Sequence, residues 1–171
     1  AKESDIITPE LKEDGNLLVR FDIERNEYDL PVFEQVKKVY NTIHELIGKK
    51  AIVSAYVLDA KGLVPALSKM AFGNKMGFVI DQDVKEDDLF APAYGCIVAE
   101  VAKDKASELS AIDVPYTKVG EVKADGKFRY KDVSINVEEA LSVWKDTLEG
   151  VFPTKASKET TPVESPLFKA D

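Results

Sequence analysis

The residues best placed to do chemistry lie in a strand–loop–helix unit near the middle of the chain. Asp59, Lys61 and Gly62 occupy a loop between an apolar run, residues 51–58, and a helix that begins near Leu63. The first turn of a helix presents unpaired N–H groups that attract anions, and a glycine allows close approach to the backbone. In this interpretation Lys61 adds a positive charge for a phosphate, and Asp59 caps the helix or coordinates a metal. These three residues are the candidate ligand-binding site. The alternative is an ordinary capped turn, which the absence of Walker and GxGxxG spacing favours.

The other reactive side chains give weaker indications of a functional site. The chain has one cysteine, Cys96, and one histidine, His44, which excludes an internal disulfide and a His/Cys zinc site. Cys96 lies in an apolar run, residues 95–101, where a thiol behaves as a small hydrophobic group. The acidic groups at residues 86–88 and 138–139 are typical of a surface turn and a helix start. We therefore predict no catalytic residue and no metal site in this chain.

Amino-acid composition and net charge limit the classes of protein to which this chain can belong. The 171 residues carry 23 basic and 31 acidic side chains, a net charge of -8, with 44% hydrophobic and 32% charged residues. This is the composition of a soluble globular protein, and the length suits one domain. Nucleic acid is an unfavourable partner because no Lys/Arg cluster is present. No apolar run approaches the roughly 18 residues that a membrane span needs, so we predict a cytoplasmic protein.

Alternating strands and helices position the loop. The clearest helix covers residues 32–47, where apolar residues recur at helical spacing until Gly48 ends it. The other predicted elements are strands at 17–22, 51–58, 76–80 and 95–101, and helices at 63–72 and 104–110. This order predicts an α/β (α+β) domain with a mixed sheet.

The C-terminal third completes the predicted domain. Asp125-Gly126 indicates a hairpin joining strands at residues 119–122 and 128–130. Asn136 is predicted to cap a final helix, with Glu139 completing a capping box. The predicted buried stripe of that helix consists of Val137, Leu141, Trp144 and Leu148.

The domain is predicted to cover residues 1–152, followed by a linker at 153–171. The linker segment is rich in Lys, Ser, Thr and Pro and lacks hydrophobic periodicity beyond Pro166-Leu167-Phe168. Residues after about Thr154 are expected to be mobile unless Leu167 and Phe168 dock on the domain.

Several segments of the chain resemble segments of one family and follow one another in the same order as in that family. Residues 52–56 (IVSAY), 62–74 (GLVPALSKMAFGN), 89–101 (LFAPAYGCIVAEV), 114–122 (VPYTKVGEV) and 151–154 (VFPT) are similar to the second synthetase-like C-terminal domain of phosphoribosylformylglycinamidine synthases. The sequences of these segments are most similar to those of the long single-chain enzymes of clostridial type, and the resemblance covers about residues 6–168. The resemblance implies a three-layer domain like the C-terminal domain of aminoimidazole ribonucleotide (AIR) synthetase.

The resemblance also implies an activity for the parent protein. That reaction is an ATP-dependent amidation in purine biosynthesis: the formamide oxygen is phosphorylated, and ammonia from glutamine displaces the phosphate. ATP and magnesium would belong to the parent enzyme, with no cofactor in this fragment. The implied partners are the synthetase and glutaminase domains of the same polypeptide, and the fragment itself is expected to be a monomer.

One difference from the family's sequence motif affects the candidate ligand-binding site. Many members carry His-Asp-x-Ser-Asp-Gly-Gly at this loop, where the first Asp and the Ser serve a magnesium–nucleotide site. Here the aligned residues are YVLDAKG, residues 56–62, so Val57 replaces an oxygen ligand and Asp59 stands at the Ser position. The nucleotide site is therefore predicted to be degenerate. Two functions follow: a structural and substrate-wall domain of the ligase, inactive alone, or a free-standing non-enzymatic ligand-binding or scaffold domain of the same fold.

Overall fold

A seven-stranded mixed sheet forms the centre of the computed structural model, which describes residues 6–154. The strands are β1 (Leu17–Phe21), β2 (Ile52–Val57), β3 (Gly77–Ile80), β4 (Ile97–Val101), β5 (Tyr116–Lys123), β6 (Lys127–Tyr130) and β7 (Val133–Asn136). They lie in the order β2-β4-β1-β5-β3-β6-β7. Neighbouring strands are antiparallel except β3 and β6, which are parallel.

Helices cover both faces of the sheet. They are α1 (Phe33–Gly48), α2 (Leu63–Asn74), α3 (Glu86–Phe90) and α4 (Val137–Glu149), with a 3-10 segment at Lys103–Ala111. Successive side chains of a strand point to opposite faces. In β1, Leu18 accordingly packs in the cluster that holds Leu67 of α2, whereas Val19 packs with Val39 and Ile43 of α1. The three-layer α/β arrangement predicted from the sequence is confirmed.

Most helices and strands before β5 lie where the sequence predicted them. Helix α1 buries Val39, Ile43 and Leu46 at the predicted spacing, and α2 ends at Asn74, after which Lys75 adopts a left-handed conformation. The acidic residues 86–88, predicted to form a turn, instead begin α3. Within residues 6–154, no helix is long and apolar enough to cross a membrane.

The predicted hairpin around Asp125-Gly126 is wrong. Strands β5 and β6 are consecutive in the chain, but β3 lies between them and pairs with both. A Cβ atom added to Gly77 of β3 would lie 2.5 Å from the Lys127 carbonyl oxygen, so glycine permits this close approach. Phe78 of β3 then stacks on Phe128 of β6, with ring centroids 4.5 Å apart. The hairpin actually joins β6 to β7.

The predicted burial of the α4 stripe is confirmed for Val137 and wrong for Trp144 and Leu148. Val137 is buried and Leu141 is half-buried. Trp144 and Leu148, however, are 58% and 59% exposed. The cap is confirmed, because the Asn136 side chain accepts a hydrogen bond from the Glu138 N–H at 2.9 Å. Helix α4 therefore presents an apolar stripe that the described part of the chain leaves largely exposed at Trp144 and Leu148.

A buried carboxylate anchors the N-terminal loop to the sheet. Glu100 of β4 is fully buried. The single backbone N–H of Lys12 is shared between its two oxygens, at 2.8 and 3.0 Å, and Oε1 also accepts from the Glu13 N–H at 3.1 Å and from Asn16 Nδ2 at 2.7 Å. Burial raises the pKa of Glu100, and these donors oppose that shift by favouring the charged form. The N–H donors of the N-terminal loop thus take the place of the water that would otherwise solvate the Glu100 carboxylate.

Candidate functional site

The loop between β2 and α2 is held by a hydrogen bond of its own and by two to Ala93 and Cys96. Asp59 Oδ1 accepts a hydrogen bond from the Lys61 N–H at 2.8 Å, which forms an Asx turn. The Asp59 carbonyl oxygen accepts from the Ala93 N–H at 3.0 Å, and the Leu58 N–H donates to the Cys96 carbonyl at 2.8 Å. The predicted capping of α2 by Asp59 is wrong, because Gly62 is the N-cap residue and no side chain caps this helix.

Gly62 is required here by backbone packing. Its φ of 77° lies in the region that side chains rarely adopt. An added Cβ atom would lie 2.6 Å from the Ala91 carbonyl oxygen and 2.7 Å from the Phe90 carbonyl carbon. The sequence suggested that another group approaches the backbone closely at Gly62. The group that does so is the backbone at the end of α3, Phe90 and Ala91. Lys61, in contrast, points to a surface groove that it helps to line.

The loop residues do not fit a magnesium–nucleotide site. Val57 is 55% exposed and offers only hydrocarbon where a hard cation needs oxygen. One of the two Asp59 carboxylate oxygens, Oδ1, already accepts a backbone hydrogen bond. Among residues 6–154, no three His, Cys, Asp or Glu side chains are grouped so that they could hold a metal ion. Asp59, Lys61 and Gly62 remain a prediction as a site for a simple anion.

Cys96 and His44 lie on different layers. Cys96 is buried in the cluster that includes α2, and burial raises the pKa of its thiol. His44 is an exposed residue of α1, which packs on the opposite face of the sheet. A nucleophilic pair of these residues is therefore excluded by the topology. The interpretation of Cys96 as a small hydrophobic side chain is supported.

One concave surface of the described residues is a groove between α2 and α4, which we call the α2–α4 groove. It has a volume of about 590 Å³. Its floor and walls are mainly apolar, and its rims carry Lys61 and Lys69 on the α2 side and Glu139 on the α4 side. The remaining lining residues are Val64, Pro65, Ser68, Phe72, Phe90, Ser134, Ile135, Ala140, Val143 and Trp144.

The groove continues inward toward the sheet. A second cavity of about 310 Å³ shares Val64, Ser68, Phe90, Ile135 and Ala140 with it. The inner lining consists largely of apolar and aromatic side chains, among them Phe78, Ile80, Leu89, Phe128 and Val133. Trp144 lies at the outer end, where its ring packs against Phe72 with centroids 5.7 Å apart. Such a surface is suited to binding apolar groups.

Sequence reasoning missed this groove. The apolar spacing of α4 was recognised, but spacing alone does not reveal whether the partner surface lies within the same part of the chain. The other wall depends on β7, which was not predicted at all. A usable signal was the surplus of large apolar residues after Asn136, which exceeds what one short helix can bury.

Comparison with solved structures identifies the fold. Phosphoribosylformylglycinamidine synthase II from Thermotoga maritima superposes with a TM-score of 0.65 at 18% identity, over 99% of this chain and 31% of that one. T. maritima PurL complexed with ATP gives a TM-score of 0.64 at 17% identity, over 100% of this chain and 32% of that one. No protein-family model matches the sequence.

A more distant neighbour has the same architecture. Thiamine-monophosphate kinase from Stenotrophomonas maltophilia superposes with a TM-score of 0.53 at 12% identity, over 75% of this chain and 54% of that one. The chain therefore has the AIR synthase-related fold found in PurL and in this kinase. It spans about a third of the length of the PurL chains that it matches.

Proposed function

We propose that this chain is the C-terminal AIR synthase-related domain of a phosphoribosylformylglycinamidine synthase of the single-chain type. In that role it acts as a structural and substrate-wall domain of an ATP-dependent amidoligase in cytoplasmic purine biosynthesis. The observation that carries the proposal is the superposition of nearly the whole chain on about a third of PurL. The segment resemblances given above support the same assignment independently of the structure.

The loop geometry supports a domain without its own nucleotide site. The Asx turn at Asp59 occupies a potential ligand oxygen, and backbone from α3 fills the space beside Gly62. In the proposed parent, ATP and magnesium are held by other parts of the polypeptide, and this domain contributes shape and stability. Its partners are the synthetase and glutaminase domains, with residues 153–171 leading toward the latter.

The second candidate is a free-standing ligand-binding or scaffold domain. The specific observation in its favour is the α2–α4 groove, because an open apolar groove is typical of a binding surface. A docked neighbouring domain would use the same groove. The two candidates differ in whether the natural polypeptide that contains these residues performs ATP- and glutamine-dependent amidation.

We expect the isolated chain to neither hydrolyse ATP nor release ammonia from glutamine. Titrating MgATP or inorganic phosphate into isotopically labelled protein should leave the amide resonances of Lys61, Gly62 and Leu63 unshifted, because the loop is closed and Lys61 supplies a single solvated charge. Saturable shifts that Lys61→Ala removes, with the melting temperature unchanged, would instead establish an anion site at Asp59, Lys61 and Gly62. Lys127→Ala, on β6, is the matched control for the loss of one positive charge.

A further inference from the structure

The second cavity beside the α2–α4 groove, which we call the inner cavity, reaches the core of the domain. It has a volume of about 310 Å³ and is lined by side chains from α2, α3, α4, β3, β6 and β7. Phe78 and Ile80 of β3 form part of this lining, and both belong to the buried core. Val64 and Ile135 line the inner cavity as well as the groove, so the groove leads into the cavity. The inner cavity is therefore a space within the fold and not a flat patch on its surface.

The polar side chains that line the inner cavity already have protein partners. Ser68 Oγ donates a hydrogen bond to the carbonyl oxygen one turn earlier in α2, at 2.8 Å. The Tyr130 hydroxyl donates to the Val84 carbonyl oxygen at 2.6 Å, and the Arg129 guanidinium pairs with Asp125. The other lining residues are apolar. A buried water needs about two to four polar partners, so this lining favours an apolar occupant over ordered water.

Charge also selects the occupant. Among the described residues that line the inner cavity, Arg129 alone is charged, and it is paired with Asp125. Lys61, Lys69 and Glu139 line the outer groove and not the inner cavity. Transfer of an ionised group from water into an apolar space is strongly unfavourable unless the group gains a partner there. The inner cavity therefore suits an uncharged molecule.

The volume of the inner cavity sets the size of that molecule. An apolar cavity of roughly 150 Å³ accepts benzene, and the inner cavity has about twice that volume, about 310 Å³. Clefts that bind small molecules begin at roughly 300 Å³. A molecule that fills the space gives lining side chains such as Leu89 and Phe128 the van der Waals contacts that a void denies them. A benzene ring with a short alkyl chain meets this requirement.

We propose that the inner cavity is a binding site for a small, uncharged, apolar molecule of about the size of an alkylbenzene, which enters through the α2–α4 groove. The proposal rests only on the lining, volume and charge of the cavity. It therefore stands or falls separately from the assignment of this chain to an amidoligase.

The test uses the full 171-residue protein with isotopically labelled methyl groups. Benzene and n-propylbenzene are the probes, and each should give saturable shifts of the methyl resonances of Val64, Ile80, Leu89 and Ile135. Each buried CH₂ group strengthens binding about four-fold, so n-propylbenzene should bind at least about ten-fold tighter than benzene. It should also raise the melting temperature, because a ligand of the folded state stabilises that state.

Two variants block the inner cavity from opposite sides. Ala140→Phe on α4 and Val64→Phe on α2 each add a ring at the mouth, because both residues line the cavity and the groove. Each variant should lose the saturable shifts. The matched control, Ser142→Phe, adds the same ring at an exposed position of α4 and should leave the affinity unchanged. Far-ultraviolet circular dichroism identifies the variants that are folded.

Three results would overturn the proposal. The first is a wild-type protein without saturable methyl shifts, or with equal affinity for the two probes. The second is equal affinity for n-propylbenzene in the wild type and in a folded blocking variant, because the probe would then bind elsewhere. The third is a wild-type protein that is dimeric by light scattering and becomes monomeric as n-propylbenzene is added, because the groove and its cavity would then belong to an interface between two copies.

Discussion

Replacing Gly62 with alanine is expected to lower the free energy of unfolding by about 3 kcal/mol. The φ of 77° costs energy for any residue with a Cβ atom, and the new methyl group would collide with backbone atoms of Phe90 and Ala91. Backbone cannot move aside as a flexible side chain can. The loop before α2 and the chain after α3 would therefore have to separate.

The matched control for this variant is Gly48→Ala. Gly48 is the last residue of α1, and nothing lies within 4 Å of the position where its Cβ would be. We expect its effect to stay within about 1 kcal/mol, in the stabilising direction, because alanine favours a helix. Urea denaturation measures both variants. If Gly62→Ala is as stable as the wild type, the loop is open enough to admit a ligand, and the closed geometry is contradicted.

Replacing Glu100 with glutamine is expected to cost about 3 kcal/mol, although the two side chains have nearly the same shape. The carboxylate oxygens accept hydrogen bonds from Lys12, Glu13 and Asn16, and all the partners are donors. If the amide oxygen replaces Oε1, the NH₂ group replaces Oε2 and faces the Lys12 N–H, which Oε2 accepts at 2.8 Å, so that two donors meet inside the protein. The N-terminal loop would then lose its attachment to β4.

The control for Glu100→Gln is Glu121→Gln on β5. Glu121 pairs with Lys123 at 3.1 Å on a partly exposed surface, so its loss should change the stability by less than about 1 kcal/mol. Hydrogen exchange adds a local measure, because the Lys12 and Glu13 amides should exchange faster in Glu100→Gln alone. Unchanged exchange of these two amides in that variant would show that the carboxylate does not hold the loop.

The sequence predicted the elements better than their pairing. The spacing of Val39, Ile43 and Leu46 is a local property, and α1 forms where that spacing occurs. The position of β3 between β5 and β6 is non-local, because it depends on Gly77 meeting the backbone of Lys127. A Gly-containing turn between two short strands gives no indication that a third strand separates them.

The candidate site was predictable only in part. Residue types indicated a loop before a helix, and that loop exists. The contact of Gly62 with Ala91 joins segments about thirty residues apart, which no local pattern reveals. Glu100 gave a signal that was not used: a charged residue within the apolar run 97–101 must find buried partners, and it finds them in the N-terminal loop.

The proposal that this chain is a non-catalytic domain of an ATP-dependent amidoligase is tested most directly by one assay. Conversion of formylglycinamide ribonucleotide with ATP and glutamine is measured for the natural polypeptide that contains these 171 residues and for the 171-residue chain alone. We predict glutamine-dependent amidation by the natural polypeptide and no turnover by the chain. A natural polypeptide without this activity, or turnover by the chain that a point substitution within it abolishes, would contradict the account.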